Sequence, residues 1–237
     1  MMKKNLAPLL LVLLFLPGCL GDHDPITQNI NTYQFYYNYF LEPYDVQWEI
    51  DDELIGTDHA YGYPASAIAV LRQSEQEVLI NTNNAETGDL IDSLSCTLME
   101  NFSYMVAILG TEDEPHLLCE PMDTRRPTTG KTKVRFPHAA AAMGPVDIYI
   151  GGDLPENKVL SQTNYPSLSE YLEFTEEDLW NSILITPADS LPADSTILSY
   201  TANTIFRTGW VYLCTIGHSE NSVESSFQIV ADDQPIY

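Results

Sequence analysis

The sequence has few basic residues for its length. Lysine and arginine number 10 against 34 aspartates and glutamates, which gives the 237-residue chain a formal net charge of -24 at pH 7. Affinity for a phosphate backbone comes from Lys and Arg side chains that neutralise its negative charge. The composition therefore disfavours nucleic acid as a partner, and we expect none. The acidity itself favours solubility over a specific cation-binding role.

Residue spacings that mark common catalytic and metal sites are also missing. The five histidines form no H-x-x-x-H or H-E-x-x-H pair, and the four cysteines form no C-x-x-C pair. There is no G-x-S-x-G elbow, G-x-x-x-x-G-K phosphate loop or D-x-D-x-D-G calcium loop. We predict a non-enzymatic protein without catalytic residues, cofactor or metal. The acidic groups at 111–114 and 175–178 keep a weak calcium site open as an alternative.

Long apolar runs are absent except near the N-terminus. Leu6–Leu16 follows Lys3 and Lys4 and is apolar apart from one proline. The run is too short to cross the roughly 30 Å hydrocarbon core of a bilayer, but it suits the core of a signal peptide. The L-P-G-C sequence that ends at Cys19 resembles the bacterial lipobox. That resemblance implies a lipoprotein signal peptide at residues 1–18 and lipid attachment at Cys19, with ordinary secretory cleavage as the alternative.

A lipid on Cys19 would determine where the protein resides. Each buried methylene contributes about 0.8 kcal/mol, so two or three acyl chains give a stable anchor. Leu20, in place of an aspartate after the cysteine, resembles lipoproteins that are sorted to an outer membrane. We therefore expect a lipid-anchored protein of the cell envelope, at the outer membrane.

The rest of the chain divides into four segments by composition. Residues 19–32 are polar and non-periodic, which is typical of a tether. Residues 33–121 form a first predicted module, and residues 122–132, with proline, glycine and no apolar periodicity, form a linker. Residues 133–237 form a second module. The linker region is rich in basic side chains, which dock on an acidic face of a module, bind a partner or balance charge locally.

Short runs with period-two alternation predict strands in both modules. In the first run, Tyr33, Phe35, Tyr37 and Tyr39 fall on one face of a strand, and Tyr36 and Phe40 fall on the other. A single helical turn is predicted near residues 175–180, where a threonine precedes three acidic residues. Further predicted strands lie at 45–50, 67–71, 77–80, 90–98, 104–109 and 116–119.

The cysteine count limits the possible disulfides. If Cys19 is acylated, three cysteines remain in an oxidising compartment. Cys96 and Cys119 fall in the same module, whereas Cys214 lies in the apolar run WVYLCTIG. We predict that Cys96 and Cys119 pair and that Cys214 is a buried thiol.

The segment VRFPHAAAAMGPVDIYIGG, at 134–152, contains two strand patterns and a closing glycine turn. It resembles the family called domain of unknown function 4397, whose members open with V-R-x-x-H-A and continue into V-D-V-Y-x-G. The resemblance implies a secreted, Ig-like β-sandwich and no reaction. It gives a structural role to Arg135, His138, Asp147, Tyr149 and Gly151. An alternative pairs Asp147 with His138 in a hydrolase site that forms only in the fold.

Spacing further predicts that the two modules are copies of one fold. Tyr165 follows Asp147 by 165 - 147 = 18 positions, and Tyr63 follows Asp45 by 63 - 45 = 18. This alignment places Tyr36 where the second copy has His138, and Glu49-Ile50 near Gly151-Gly152. The predicted architecture is thus all-β, with two tandem Ig-like antiparallel β-sandwiches and a separate hydrophobic core in each.

These observations favour a non-enzymatic envelope lipoprotein whose modules have a binding or structural role. Its partner would be another envelope protein or a polysaccharide, besides the membrane reached through the lipid. The alternatives are a calcium-stiffened adhesion or polysaccharide-binding protein, and the hydrolase with Asp147 and His138. A concave pocket with two titratable groups in hydrogen-bond reach would favour the hydrolase.

Overall fold

The computed structural model describes residues 30–41, 45–56, 65–71, 73–123, 125–140, 142–201, 206–218 and 225–232. The predicted signal peptide, Cys19, Leu20, most of the tether and Tyr63 lie outside these ranges. We call residues 30–123 the first half and residues 125–232 the second half. No helix in the described ranges has the length and apolar composition needed to cross a membrane.

The described part of the first half forms two four-stranded sheets. One sheet has the strand order β3-β2-β5-β6, and the other has the order β4-β1-β7-β8. Their strands are β1 (Ile30–Phe40), β2 (Val46–Ile50), β3 (Glu53–Gly56), β4 (Ala65–Leu71), β5 (Glu75–Asn84), β6 (Leu90–Met99), β7 (Ser103–Thr111) and β8 (Glu114–Met122).

The second half also forms two sheets. One has the order β12-β11-β15-β16; in the other, β17 pairs with β9 and β10 and with β18, while β13 and β14 extend that sheet. The elements are β9 (Thr132–Arg135), β10 (Pro137–His138), β11 (Val146–Ile150), a 3-10 turn (Pro155–Asn157), β12 (Lys158–Thr163), β13 (Ser167–Leu168), β14 (Leu172–Phe174), α1 (Glu176–Asn181), β15 (Ile183–Pro187), β16 (Leu198–Tyr200), β17 (Val211–His218) and β18 (Ser225–Asp232).

The predicted all-β sandwich fold is confirmed, and its one described α-helix lies where the sequence predicted a helical turn. Thr175 caps α1: its hydroxyl accepts a hydrogen bond from the Asp178 N–H, and the Asp178 carboxylate accepts one from the Thr175 N–H. This reciprocal pair satisfies two backbone donors that the helix itself cannot. The acidic group at 175–178 therefore has a structural use in the helix cap.

Two of the four sheets are mixed, which corrects the predicted antiparallel arrangement for those two. β1 runs parallel to β7, and β9 and β10 run parallel to β17. The other pairs in the described sheets are antiparallel. A parallel pair needs a long connection between its strands. Strands β2–β6 lie between β1 and β7 along the chain, and the elements β11–β16 lie between β10 and β17. The alternation of side chains along a strand is the same in parallel and antiparallel pairs, so the sequence pattern does not distinguish them.

The four sheets build three hydrophobic clusters because the central strands bury both of their faces. In β7, Tyr104, Val106 and Ile108 point into the cluster between the first-half sheets. The intervening residues Met105, Ala107 and Leu109 point into a different cluster. A third cluster fills the space between the second-half sheets, around residues such as Ile148 and Ile185. The sequence predicted the two clusters within the halves and missed the one between them.

The unpredicted cluster joins the two halves. From the first half it takes Tyr37 and Tyr39 of β1, and from the second half Ala139 and Leu213. The Tyr39 hydroxyl lies 2.9 Å from the Thr215 hydroxyl, and both residues are fully buried. The predicted alternation along β1 is confirmed for Tyr37 and Tyr39 on one face and Tyr36 on the other. The aromatic stripe is therefore an internal contact surface between the halves.

The two halves have corresponding strand orders. In the first half, β1 pairs with β4 and β7, and β7 pairs with β8. In the second half, β10 pairs with β13 and β17, and β17 pairs with β18. The other sheets, β3-β2-β5-β6 and β12-β11-β15-β16, correspond in the same way. The predicted segment boundaries, 33–121, 122–132 and 133–237, stay predictions.

Hydrogen bonds at the sheet ends fix the register between the halves. After β2, the Asp51 N–H donates to the Leu79 carbonyl at 2.9 Å; after β11, the Gly151 N–H donates to the Ser182 carbonyl at 2.9 Å. Before β7, Tyr33 N–H donates to the Phe102 carbonyl, as Lys133 N–H does to the Trp210 carbonyl before β17. Both comparisons give one offset along the leading strands, 151 - 51 = 100 and 133 - 33 = 100.

This register corrects the alignment that the sequence suggested. With the offset of 100, Gln47 of β2 occupies the position of Asp147, whereas the 18-residue intervals had equated Asp45 with Asp147. The intervals were anchored on two Tyr-Pro pairs, of which Tyr63-Pro64 lies outside the described residues. The hydrogen-bonded ladders pair defined positions in each half, so they give the correspondence directly.

Candidate functional site

His138 is fully buried in β10, and both of its ring nitrogens meet backbone groups. Nε2 lies 3.1 Å from the Gly144 carbonyl oxygen, and Nδ1 accepts a hydrogen bond from the Ala140 N–H at 3.3 Å. These contacts select the neutral tautomer with its proton on Nε2. Burial lowers the pKa of His138 below its ordinary value, although the Gly144 carbonyl acts in the opposite direction. The ring holds the loop between β10 and β11.

Asn38 occupies the corresponding position in the first half, where the sequence alignment had placed Tyr36. The Asn38 side-chain oxygen accepts a hydrogen bond from the Phe40 N–H, two residues ahead, at 3.0 Å. His138 makes the same bond to the N–H two residues ahead. An amide and an imidazole thus perform one backbone-capping task, which needs an acceptor and no proton transfer.

Asp147 lies in β11 with no exposed surface and holds three donors. Lys158 Nζ lies 2.5 Å from Oδ2, the Gln162 N–H donates to Oδ1 at 2.8 Å, and the Asp189 N–H donates to Oδ2 at 3.0 Å. Burial alone would raise the pKa of Asp147, but these three bonds hold it below its ordinary value. The carboxylate ties β11 to the segments beside it.

The structure therefore gives Asp147 and His138 separate partners. Asp147 lies in the β12-β11-β15-β16 sheet, and His138 lies in the sheet built around β17. Each side chain uses its polar atoms on neighbouring backbone groups or on Lys158. The arrangement supplies neither a base beside a nucleophile nor an acid–base pair.

The other residues of the family-like motif also make structural contacts. Arg135 Nε donates to the Ser169 carbonyl at 2.8 Å, and its guanidinium lies 5.0 Å from the centre of the Tyr171 ring. The buried Tyr149 hydroxyl donates to the Ser190 carbonyl at 2.9 Å. Gly151 has φ of 83°, a left-handed conformation that favours glycine, and it ends β11.

Two of the basic residues around the linker, Arg125 and Lys133, pair with a carboxylate of the chain itself. Arg125 Nε lies 2.7 Å from Asp123, and the nearly buried Lys133 ammonium lies 3.2 Å from the same carboxylate. The bond from Arg125, together with the contribution of Lys133, holds the pKa of Asp123 well below its usual range. Hydrogen bonds from Thr128 lower the pKa of Glu173, and the charges of Lys133 and Lys131 lower it further. This cluster balances charge locally.

A disulfide joins the free edges of the two first-half sheets. It links Cys96 of β6 to Cys119 of β8, with the two Cα atoms 6.3 Å apart. Asp92 of β6 adds a second bridge, because its carboxylate accepts a hydrogen bond from the Leu117 N–H of β8 at 2.8 Å. Cys214 is a free, fully buried thiol, and burial raises its pKa well above the ordinary value.

Two cavities lie along the edge strand β8 and share Pro121 as a lining residue. The first, of about 430 Å³, runs between β6 and β8 beside the disulfide. The second, of about 440 Å³, lies at the end of β8 and is lined by Asn101, Phe102 and Arg125, among others. Phe102 is 44% exposed and Arg125 is largely in solvent. We call this pair of cavities the β8 groove.

Comparison with known proteins agrees with part of the sequence analysis. Residues 41–149 match the family model described as Domain of unknown function (DUF4397). The resemblance to this family is confirmed. No curated protein matches the chain.

One matching solved structure is described as "Alpha-glucan recognition by family 41 carbohydrate-binding modules from streptococcal virulence factors". It is 13% identical, with a TM-score of 0.26, over 78% of this chain and 93% of that one. Likeness at that level carries no functional argument.

The DUF4397 match runs from β2 to β11 and so crosses from the first half into the second. It includes Arg135, His138, Asp147 and Tyr149, and it ends before Gly151. It also includes the whole β8 groove, which the sequence analysis missed. Prolines at 115 and 121, on either side of the strand predicted at 116–119, are a sequence signal for an edge strand that the analysis did not use, because proline cannot donate to a ladder. No pattern in the sequence singled out Phe102 or Asp92.

Among the described residues, no three histidine, cysteine, aspartate or glutamate side chains converge into a group that could hold a metal ion. The acidic group at 111–114 lies at the turn between β7 and β8, and the one at 175–178 caps α1.

Proposed function

We propose that the protein is a non-enzymatic, lipid-anchored component of the cell envelope that binds a partner through the β8 groove. The observation that carries the binding role is the groove itself, an open surface where an exposed ring and an exposed guanidinium lie beside polar backbone. Binding sites of this kind combine apolar contact area with a few placed polar groups. The motif residues, in contrast, are occupied with structural bonds.

The anchor in this proposal rests on the sequence around Cys19. A diacylated cysteine followed by a polar tether at 19–32 would hold the folded halves at a membrane surface without a spanning segment. Leu20 supports the outer membrane as the destination. Cells fed with an acyl-chain analogue should label the wild type and not Cys19→Ala, and Cys19→Ala should move from the membrane to the soluble fraction. An unlabelled wild-type protein would refute the anchor.

The binding role can be tested in intact envelopes. A photo-crosslinking amino acid at Thr97, an exposed position lining the groove, should give adducts with an envelope component. The same group at Leu191, which is 42% exposed and lies outside the groove, is the matched control. Equal adduct yields at the two positions, or no adduct at Thr97, would contradict binding through the groove.

A further inference from the structure

We infer that the β8 groove binds a neutral polysaccharide chain, laid along the edge of the sandwich with a sugar ring against Phe102. This inference deepens the proposed function and rests on it. It follows from three properties of the groove: its hydrogen-bonding edge, its lining and its charge.

The edge of β8 is unsuited to an added peptide strand. Pro115 and Pro121 have no N–H, and the Leu117 N–H that points the same way is already bound by Asp92. Strand addition depends on a row of free backbone donors and acceptors. Among positions 115, 117, 119 and 121 of β8, only the Cys119 N–H is left as a donor. A peptide strand would therefore lose most of the bonds that normally bind it.

The gap between β6 and β8 is also too narrow for a strand. The disulfide holds the Cα atoms of Cys96 and Cys119 at 6.3 Å. Two strands with a third between them lie about 10 Å apart, since neighbouring strands are about 4.8 Å apart. A ligand in this groove must lie across the surface and contact side chains, outside any ladder.

The lining suits a polyhydroxylated ring ligand. Phe102 offers an exposed aromatic face, and Asn101 and Arg125 offer planar amide and guanidinium groups beside it. The Ser95 and Thr97 hydroxyls line the neighbouring cavity. From Leu117 to Met122, β8 covers about 17 Å at roughly 3.4 Å per residue, so the groove accommodates several sugar units in a row.

Charge indicates a neutral chain. The protein carries a formal charge of -24, which repels polyanions at long range. The groove lining carries one basic residue, Arg125, against two acidic residues, Glu120 and Asp123, so it offers a polyanion no net positive charge. A neutral polysaccharide meets no such repulsion, and its binding should depend little on salt, because ion release contributes little.

Calorimetric titration of the full-length protein in detergent with hexasaccharides tests the inference. Neutral probes would be maltohexaose, cellohexaose and chitohexaose; the acidic probe would be hexagalacturonate. We expect at least one neutral probe to bind, with less than a twofold change between 50 and 300 mM salt. Phe102→Ala and Arg125→Gln should each weaken it at least tenfold, while Leu154→Ala, an exposed residue of the second half, should leave it unchanged.

Asn101→Gly provides a second variant in case Phe102→Ala unfolds, because Asn101 has φ of 63° and glycine keeps that backbone. It should also weaken binding. The inference is overturned if no neutral probe binds, if hexagalacturonate binds as tightly, or if the groove variants bind like the wild type. A membrane-anchored protein that crosslinks at Thr97 but binds no hexasaccharide would overturn this inference alone and leave the proposed function standing.

Discussion

In the first half a disulfide closes the open side of the sandwich, between β6 and β8, whereas in the second half a buried carboxylate, Asp147, ties β11 to its neighbours. The strand order is nevertheless the same. At the position of Asp147 the first half has Gln47, whose side-chain amide donates a hydrogen bond to the Glu49 carboxylate at 3.1 Å. The motif residues therefore stabilise one copy of the fold without defining it.

The features that both halves keep are backbone hydrogen bonds and the side-chain hydroxyls that bond to the backbone. Thr32 and Thr132 are both fully buried, and each donates its hydroxyl to a carbonyl before β7 or β17 at 2.9 Å. The Tyr104 hydroxyl accepts the Met99 N–H at 2.9 Å, and the Tyr212 hydroxyl accepts the Arg207 N–H at 3.0 Å, each from five residues earlier. These paired devices hold the parallel strand pair in each half.

The largest difference between the halves should appear when Asp147 is removed. Asp147→Ala leaves Lys158 and two backbone donors without their acceptor, which should lower the free energy of unfolding by about 4 kcal/mol. The matched variant Gln47→Ala, at the same position of the first half, should change it by less than about 0.5 kcal/mol. Urea unfolding of both variants measures the contrast, and equal effects would refute the asymmetry.

The disulfide should give the next largest effect, confined to the first half. Cys96 and Cys119 are separated by 23 residues, and a loop of that size contributes about 3 kcal/mol to the free energy of unfolding. The double variant Cys96→Ala/Cys119→Ala should lose that amount, and reductant should then have no further effect. A wild type whose stability does not respond to reductant would contradict the prediction.

The paired threonines test what the halves share. Thr32→Val and Thr132→Val each remove one buried hydroxyl bond and leave a carbonyl without it, so each should lower the free energy of unfolding by about 1 kcal/mol. Effects that differ by more than about 1 kcal/mol would break the correspondence between the halves. Serine at either position keeps the hydroxyl and serves as the control.

The sequence predicted the strands more accurately than it predicted their relations. Alternation identified both faces of β1, because side chains on a strand point to opposite faces with a period of two. It missed the cluster between the halves, since an aromatic face is the same whether solvent, a ligand or another sheet covers it. It also aligned Asp45 with Asp147, because spacing between turns varies whereas ladder register does not. The β8 groove depends on residues of three separate segments, which only the fold brings together.

The smallest predicted effect at neutral pH, and the most specific, concerns His138 and Asn38. Burial lowers the pKa of His138 in the folded protein below its ordinary value of 6.5, so the unfolded chain takes up that proton more readily. The free energy of unfolding should therefore fall as the pH drops below about 6.5, by at most about 1.4 kcal/mol per pH unit for this group, and the loss should stop growing below the folded pKa.

His138→Asn would give the second half the residue that caps the same position in the first half. Asn38 shows that an amide oxygen can accept the N–H two residues ahead. The groups that face His138 include the Gly144 carbonyl, the Met143 backbone, the Tyr165 ring at 6.1 Å and His218, which repels its protonated form. The variant should keep its stability at pH 8 within about 1 kcal/mol and lose the His138 share of the fall between pH 6.5 and 5.

The control Asn38→Ala should leave the slope in that pH range unchanged, because the first-half position does not titrate. Carboxylates with lowered pKa, such as Asp123 and Asp147, act only at more acidic pH. If the free energy of unfolding of His138→Asn falls with pH as steeply as that of the wild type, the acid sensitivity arises from other groups. The two capping residues would then not differ in their effect on the pH dependence of stability.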